Sequence, residues 1–246
     1  MRKLLSIAAL LAVWETAARL SPVPRQLFPP FTNVLVALWS LLLSGQLLEN
    51  YLITLARTVS GFILGAGLGV LIGLALVYRK LAYETLYPVV TLLYAIPAVA
   101  WIPLFMIWVG LNEALPISVV FMCSFAPMVY ITLTGARKVE DDVIKVARTL
   151  GANDLKIVTT ILFPQALPSI LSGLKVEAGM AWRSCFVAEM VAMSSGLGFI
   201  AMEAESILRV DIILAVILVL AISNYLFQEL FEKIEVSILR RWGISK

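Results

Sequence analysis

Residues 145–168 read KVARTLGANDLKIVTTILFPQALP. The 246-residue chain is 61% hydrophobic and 14% charged, with mean hydropathy +0.96, and this is one of the few stretches where charges, a turn glycine and prolines fall together. It separates the fourth from the fifth of six apolar segments. So much apolar surface exceeds what a soluble domain of this length buries, and several windows approach the roughly 20 apolar residues that cross hydrocarbon as a helix. The predicted fold class is all-α, a polytopic membrane bundle of six transmembrane helices forming one domain over 1–246.

Upstream of the loop, the fourth span covers Leu115 to Thr134 and is interrupted by Pro127. The third, Thr85 to Val109, carries Pro88, Pro97 and Pro103, each of which leaves a backbone carbonyl to be satisfied by neighbours or a cavity. Two readings stand: a kinked helix lining a pathway, with Pro97 and Pro103 as candidate residues, or the ordinary frequency of proline in membrane helices. The second span, Leu52 to Tyr78, has Gly61, Gly65, Gly69 and Gly73 at four-residue spacing, with Gly67 beside them. That stripe is a close-packing face, or alternatively a sliding contact. Arg57 and Thr58, near its outer end, are expected to snorkel to the interface. The first span, Leu4 to Leu20, reads as a retained anchor rather than a cleaved signal. Segment 1–51 also holds a proline-rich outer stretch and an amphipathic run, Phe31 to Leu43, lying in the interface.

Downstream, the fifth span, Ile170 to Met193, contains Lys175, Glu177, Arg183 and Glu189. Lys175, Trp182 and Glu189 share one helical face, with Arg183 about 100° away. Lys175 and Glu177 are close enough to the cytoplasmic end to reach water. Arg183 and Glu189 are deeper, where an ionised group costs about 2.5 to 3.5 kcal/mol on insertion scales, so both should face protein or an aqueous cavity. They form either an internal ion pair with another helix or, for Arg183, a contact with an anionic solute. Trp182, Arg183 and Glu189 join the prolines as pathway candidates. The sixth span, Ile212 to Leu230, ends the core segment 52–231, and a basic tail fills 232–246.

Arg2, Lys3, Arg79, Lys80, Arg137, Lys138, Lys145, Arg148, Lys156, Lys233, Arg240, Arg241 and Lys246 lie on one side, 13 of the 19 basic residues. The positive-inside rule puts that side, with both termini and the 137–168 loop, in the cytoplasm. There is no histidine, hence no proton relay of the common kind, and no metal site is expected. Cys123 and Cys185 sit in apolar runs as small core residues, with a disulfide as the lesser alternative. No G-x-x-x-x-G-K-[ST] run occurs, so no nucleotide is expected in this chain.

The loop resembles the docking motif of ATP-binding cassette (ABC) importer permeases, E-A-A, three residues, Gly, nine residues, I-x-L-P. Here Lys145, Val146 and Ala147 precede Gly151 by that spacing, and Ile161, Leu162, Phe163 and Pro164 close it. The spacing is complete, but lysine replaces the glutamate, valine the first alanine and phenylalanine the leucine. Four further runs are similar to the nitrate, sulfonate, taurine and bicarbonate branch of these inner-membrane permeases: AWIPLFMIWVGLNEA at 100–114, VARTLGANDLKIV at 146–158, LFPQALPSILSGLKV at 162–176 and AWRSCFVAEMVAMSSGLG at 181–198.

The resemblance implies a type I ABC importer permease fold, non-catalytic, in the inner membrane of a prokaryote. It implies a homodimer of the permease, two copies of a cytoplasmic ATPase that bind the ATP and Mg, an extracytoplasmic substrate-binding protein, and no nucleic acid. Asp141, Asp142, Lys145, Ala147, Leu150, Gly151, Ala152, Asp154 and Pro164 would dock the ATPase through a coupling helix. Ala147 would allow close approach, Gly151 the sharp turn and Pro164 the return to the membrane. Asp141 and Asp142 are candidates to supply the charge that Lys145 does not. The implied solute is an anion such as a sulfonate, taurine, nitrate or bicarbonate, or alternatively a vitamin precursor of pyrimidine or riboflavin type. A secondary transporter or channel is the rival class; it would leave the docking motif without purpose.

Overall fold

The computed structural model describes residues 2–78, 80–137, 139 and 141–242. In chain order its helices are α1 (Arg2–Leu20), α2 (Phe31–Leu43), α3 (Gln46–Tyr78), α4 (Lys80–Ala95), α5 (Ile102–Trp108), α6 (Ala114–Ala136), α7 (Asp141–Thr149), α8 (Asp154–Ile157), α9 (Phe163–Ala192), α10 (Leu197–Ser206) and α11 (Val210–Arg241). A 3₁₀ turn, Ala98–Trp101, precedes α5, and a π turn, Val158–Leu162, joins α8 to α9. Among the described residues four helical runs are long and apolar enough to cross a membrane: Gln46–Val77, Ala114–Ala136, Asp154–Ala192 and Val210–Arg241. Tyr83–Ala95 with Ala98–Trp108 makes a fifth if taken as one span bent by 97°. α1 is not among them, because Arg2, Lys3, Glu15 and Arg19 fall within its 19 residues.

The bend has a single cause. Pro97 disfavours helical geometry at Ile96, so α4 stops at Ala95 and the chain restarts in the 3₁₀ turn. Pro88 lies inside α4 and Pro103 in the first turn of α5, where a missing N–H costs least. Of the three prolines in the expected third span, Pro97 therefore breaks it and the other two are absorbed.

The chain forms two compact units, Met1–Leu55 with Glu189–Ser223, and Ala56–Ala188 with Asn224–Lys246. In the first, α2 buries Val34, Ala37 and Leu41, three positions of one helical face, while Trp39 stays exposed. Val34 and Ala37 pack with Ala215 of α11 and Trp14 of α1. Glu15 of α1 accepts hydrogen bonds from the backbone N–H and the hydroxyl of Thr32, which satisfies the first turn of α2.

The N-terminus of α10 is built from distant side chains. Asn50 Oδ1 accepts from the Gly196 N–H at 2.6 Å, Thr54 Oγ1 from the Leu197 N–H at 2.9 Å, and Glu189 Oε2 from the Gly198 N–H at 3.1 Å. The Thr54 hydroxyl in turn donates to Glu189 at 2.9 Å. Gly196 has φ +103°, and a Cβ there would collide with the Glu189 carboxylate. Only glycine fits, for both reasons.

In the second unit the glycine stripe of α3 packs on α6. A Cβ added at Gly61 would lie 2.7 Å from Ile117 O, at Gly65 2.5 Å from Phe121 O, at Gly69 2.8 Å from Met128 Cβ and at Gly73 2.7 Å from Thr132 Cβ. Gly67 meets nothing within 4 Å. Phe62, Phe227, Phe231 and Trp182 form an edge-to-face aromatic cluster, with Phe62 to Phe231 at 5.3 Å and Trp182 to Phe227 at 6.2 Å.

Candidate docking loop and solute cavity

The 145–168 loop is two short helices joined by a capped turn. The Gly151 N–H bonds Arg148 O at 2.9 Å and the Ala152 N–H bonds Ala147 O at 3.0 Å, a Schellman closure with Gly151 at φ +84°. This gives the motif spacing a physical meaning, because alanine and glycine four residues apart occupy the two positions that the closure fixes. Asn153 then caps α8, its side chain accepting the Lys156 N–H at 2.9 Å. The helix continues unbroken from Asp154 into the membrane span. Pro164 is the second residue of α9, and the π turn before it accommodates the ring and the missing N–H. The return therefore begins at Asn153, eleven residues before the expected Pro164.

α7 has two faces. Ile144 and Ala147, with Ala152 beyond the turn, pack toward the core that holds Ile157, Leu162 and Met128. Val143, Val146, Leu150 (83% exposed) and Leu155 (72%) point outward beside Asp142, Lys145 and Asp154. Lys145 Nζ lies 2.7 Å from Asp142 Oδ1, so the lysine that replaces the motif glutamate is paired within its own helix. Arg148 reaches Asp154 at 3.9 Å. The side chain of Asp141 lies outside what the structure describes.

A cavity of about 250 Å³ opens in the second unit at the Pro97 bend. Leu93, Tyr94, Ile96, Pro97 and Ala98 line one side, Met122, Cys123 and Pro127 of α6 another, and Val176, Glu177 and Met180 of α9 the third. Glu177 is only 6% exposed, so the expectation that it reaches bulk water is corrected. Lys175 turns instead to α11, where its Nζ sits 2.6 Å from Glu232. Both cysteines are free and buried, and the Ser184 hydroxyl donates to Cys123 Sγ at 3.1 Å.

The other pathway candidates separate. Pro97 lines the cavity, whereas Pro103 is exposed on α5 and Trp182 is buried in the aromatic cluster. Glu189 is fully buried in the first unit, holding α10. Arg183 is exposed on α9, and among the described residues no carboxylate pairs with it; its guanidinium lies 3.8 Å from Met180 Sδ. Arg57 corrects the snorkelling expectation. It is 2% exposed and forms a two-point pair with Glu113, Nε to Oε2 at 2.6 Å and Nη2 to Oε1 at 2.7 Å; Thr58 beside it is wholly buried. Sequence reading missed this pair because its partners are 56 positions apart, and only the fold brings them together.

These elements define the transmembrane subunit of a type I ABC importer. The chain matches a bacterial ABC transporter involved in the import of alginate with TM-score 0.68, covering 93% of this chain and 88% of that one at 15% identity. It matches the inward-facing MetNI methionine ABC transporter with TM-score 0.62, covering 83% and 97% at 21% identity. The family model for the inner membrane component of binding-protein-dependent transport systems spans residues 65–235, and the chain belongs to that family. A Bacillus subtilis permease assigned to aliphatic sulfonates is 31% identical over 98% of this chain and 87% of its own length. The taurine transport system permease of Escherichia coli is 30% identical over 91% and 83%. The branch read from the four sequence runs is the branch these relatives occupy. The chain is thus a non-catalytic, multi-pass permease subunit of an ABC importer.

Proposed function

We propose that this permease carries a small organic anion of the sulfonate type, handed over by an extracytoplasmic binding protein and driven by ATP that a separate subunit hydrolyses. The observation that carries the anion is Arg183: a guanidinium in an apolar helix, exposed and with no carboxylate partner among the described residues. An arginine at such a depth costs about 2.5 to 3.5 kcal/mol unless water, protein or solute meets it. The names of the sulfonate and taurine relatives support the same class.

In this reading two copies of the chain enclose the pathway, with both termini in the cytoplasm. Two ATPase subunits holding ATP and Mg press on the α7–α8 surface, where the outward apolar residues Val146, Leu150 and Leu155 supply contact and Asp142, Lys145 and Asp154 supply orientation. Closing of the ATPase pair moves α7, and the unbroken helix from Asp154 transmits that motion to the span. Arg183→Gln tests the anion. Uptake of a sulfonate by the full complex should fall at least about tenfold, the effect of losing one charged hydrogen bond, with ATPase docking intact. Unchanged uptake ends this reading of the solute.

A further inference from the structure

We propose that the cavity at the Pro97 bend is a subsite for a cationic nitrogen of the solute, and that Glu177 is the group that receives it. The proposal rests on the anion reading above and adds the other end of the molecule. Glu177 is 94% buried by its 6% exposure, lines the cavity, and among the described residues accepts no hydrogen bond and forms no ion pair. A carboxylate left in that condition inside apolar surroundings is costly unless something arrives to meet it.

Among the described residues nothing on the walls does so. Leu93, Pro97, Met122 and Met180 are apolar, and the two wall groups that carry a donor, the Tyr94 hydroxyl and the Cys123 thiol, make no hydrogen bond to Glu177; the thiol sulfur accepts from Ser184. Lys175, two residues away on the same helix, is engaged by Glu232. The place of a donor to this carboxylate is thus open to a bound solute, and a positively charged nitrogen is the donor that a carboxylate binds most strongly.

The second charge is carried by the same helix. Arg183 lies six residues beyond Glu177 on α9, a rise of ~9 Å, and Met180, which lines the cavity, sits between them with its Sδ 3.8 Å from the guanidinium. Two long, oppositely charged side chains thus flank one methionine. A plain alkanesulfonate would bring its charge against Glu177 with like sign. An amine-bearing sulfonate meets Arg183 with one end and Glu177 with the other. The solute class that fits both groups is a small zwitterion with an ammonium and an acidic oxyanion.

The test uses the permease with its ATPase, purified together, and an apolar carbodiimide as the probe of Glu177. Mass spectrometry should find the adduct on Glu177 and lose it in Glu177→Gln. Because an amine can also capture the activated carboxyl as an amide with release of the urea, modification is counted as the carbodiimide adduct plus any amide on Glu177; taurine should slow this total about tenfold, as expected for a charged contact, and ethanesulfonate should leave the rate unchanged. Ethylamine that protects as well as taurine keeps this subsite and removes the anion reading. Protection by ethanesulfonate equal to that by taurine, no protection by either amine, or an unlabelled Glu177 overturns the subsite.

Discussion

Glu113 stands at the N-cap position of α6 with its side chain turned to Arg57, accepting from Nε and Nη2 along one edge of the guanidinium, and the hydrogen bond from Arg57 keeps its carboxyl below the usual carboxylate range, against the opposing effect of partial burial. A carboxylate whose folded-state pKa is lowered contributes stability above its unfolded value, about 4.3, and loses it as pH falls through the lower folded value. The melting temperature of Glu113→Gln in detergent should therefore lie below wild type at pH 7. The gap should close as pH drops below about 4; a gap of equal size at both ends would remove the charge from the explanation. Because the Glu113 side chain is 67% exposed, solvent screens the pair and the effect is modest. None of this was legible around Arg57, where the local signal, a basic residue near a helix end, is the signal for snorkelling. Glu189 shows the same limit: its charge marked it as special, yet the donors it accepts from, the Gly198 N–H of α10 and the Thr54 hydroxyl 135 positions away, are brought to it only by the fold.

The pairing of α3 with α6 was written more openly, since four glycines at intervals of four leave one helical stripe without side chains. Gly67 is where the structure adds information. Gly65→Ala places a methyl 2.5 Å from Phe121 O and should lower stability by about 1–3 kcal/mol through overpacking. Gly67→Ala meets open space and should raise it by up to about 1 kcal/mol, because alanine favours the helix. Thermal unfolding of the two variants side by side checks the sign, and like behaviour would mean that the stripe is not the contact. The third span was legible as interrupted, but which proline interrupts it depends on what precedes each: Pro103 falls in the first turn of α5, where no N–H is needed, whereas Pro97 turns Ile96 out of helical geometry and begins the next turn.

For the transporter as a unit, the decisive link is between α7 and the ATPase. Gly151→Asp should leave the permease in the membrane, since a Cβ at Gly151 meets nothing within 4 Å and aspartate tolerates positive φ better than most residues. It sets a carboxylate between Leu150 and Leu155, so ATP-driven uptake should be lost; retained uptake would show that this surface does not dock. Composition and charge bias determined the membrane class, and the motif spacing determined the capped turn, because these depend on local periodicity and on residues four apart. The Lys145–Asp142 pair is local too, three residues apart on one helix, whereas tertiary structure alone decided that Arg57 is answered by Glu113 and that Glu177 faces a cavity in which, among the described residues, no group donates to it. The 145–168 stretch carried its shape in its own residues, since a Schellman turn closes within six positions. A buried charge depends on what the rest of the chain brings within about 3 Å, and no pattern along the sequence encodes that distance.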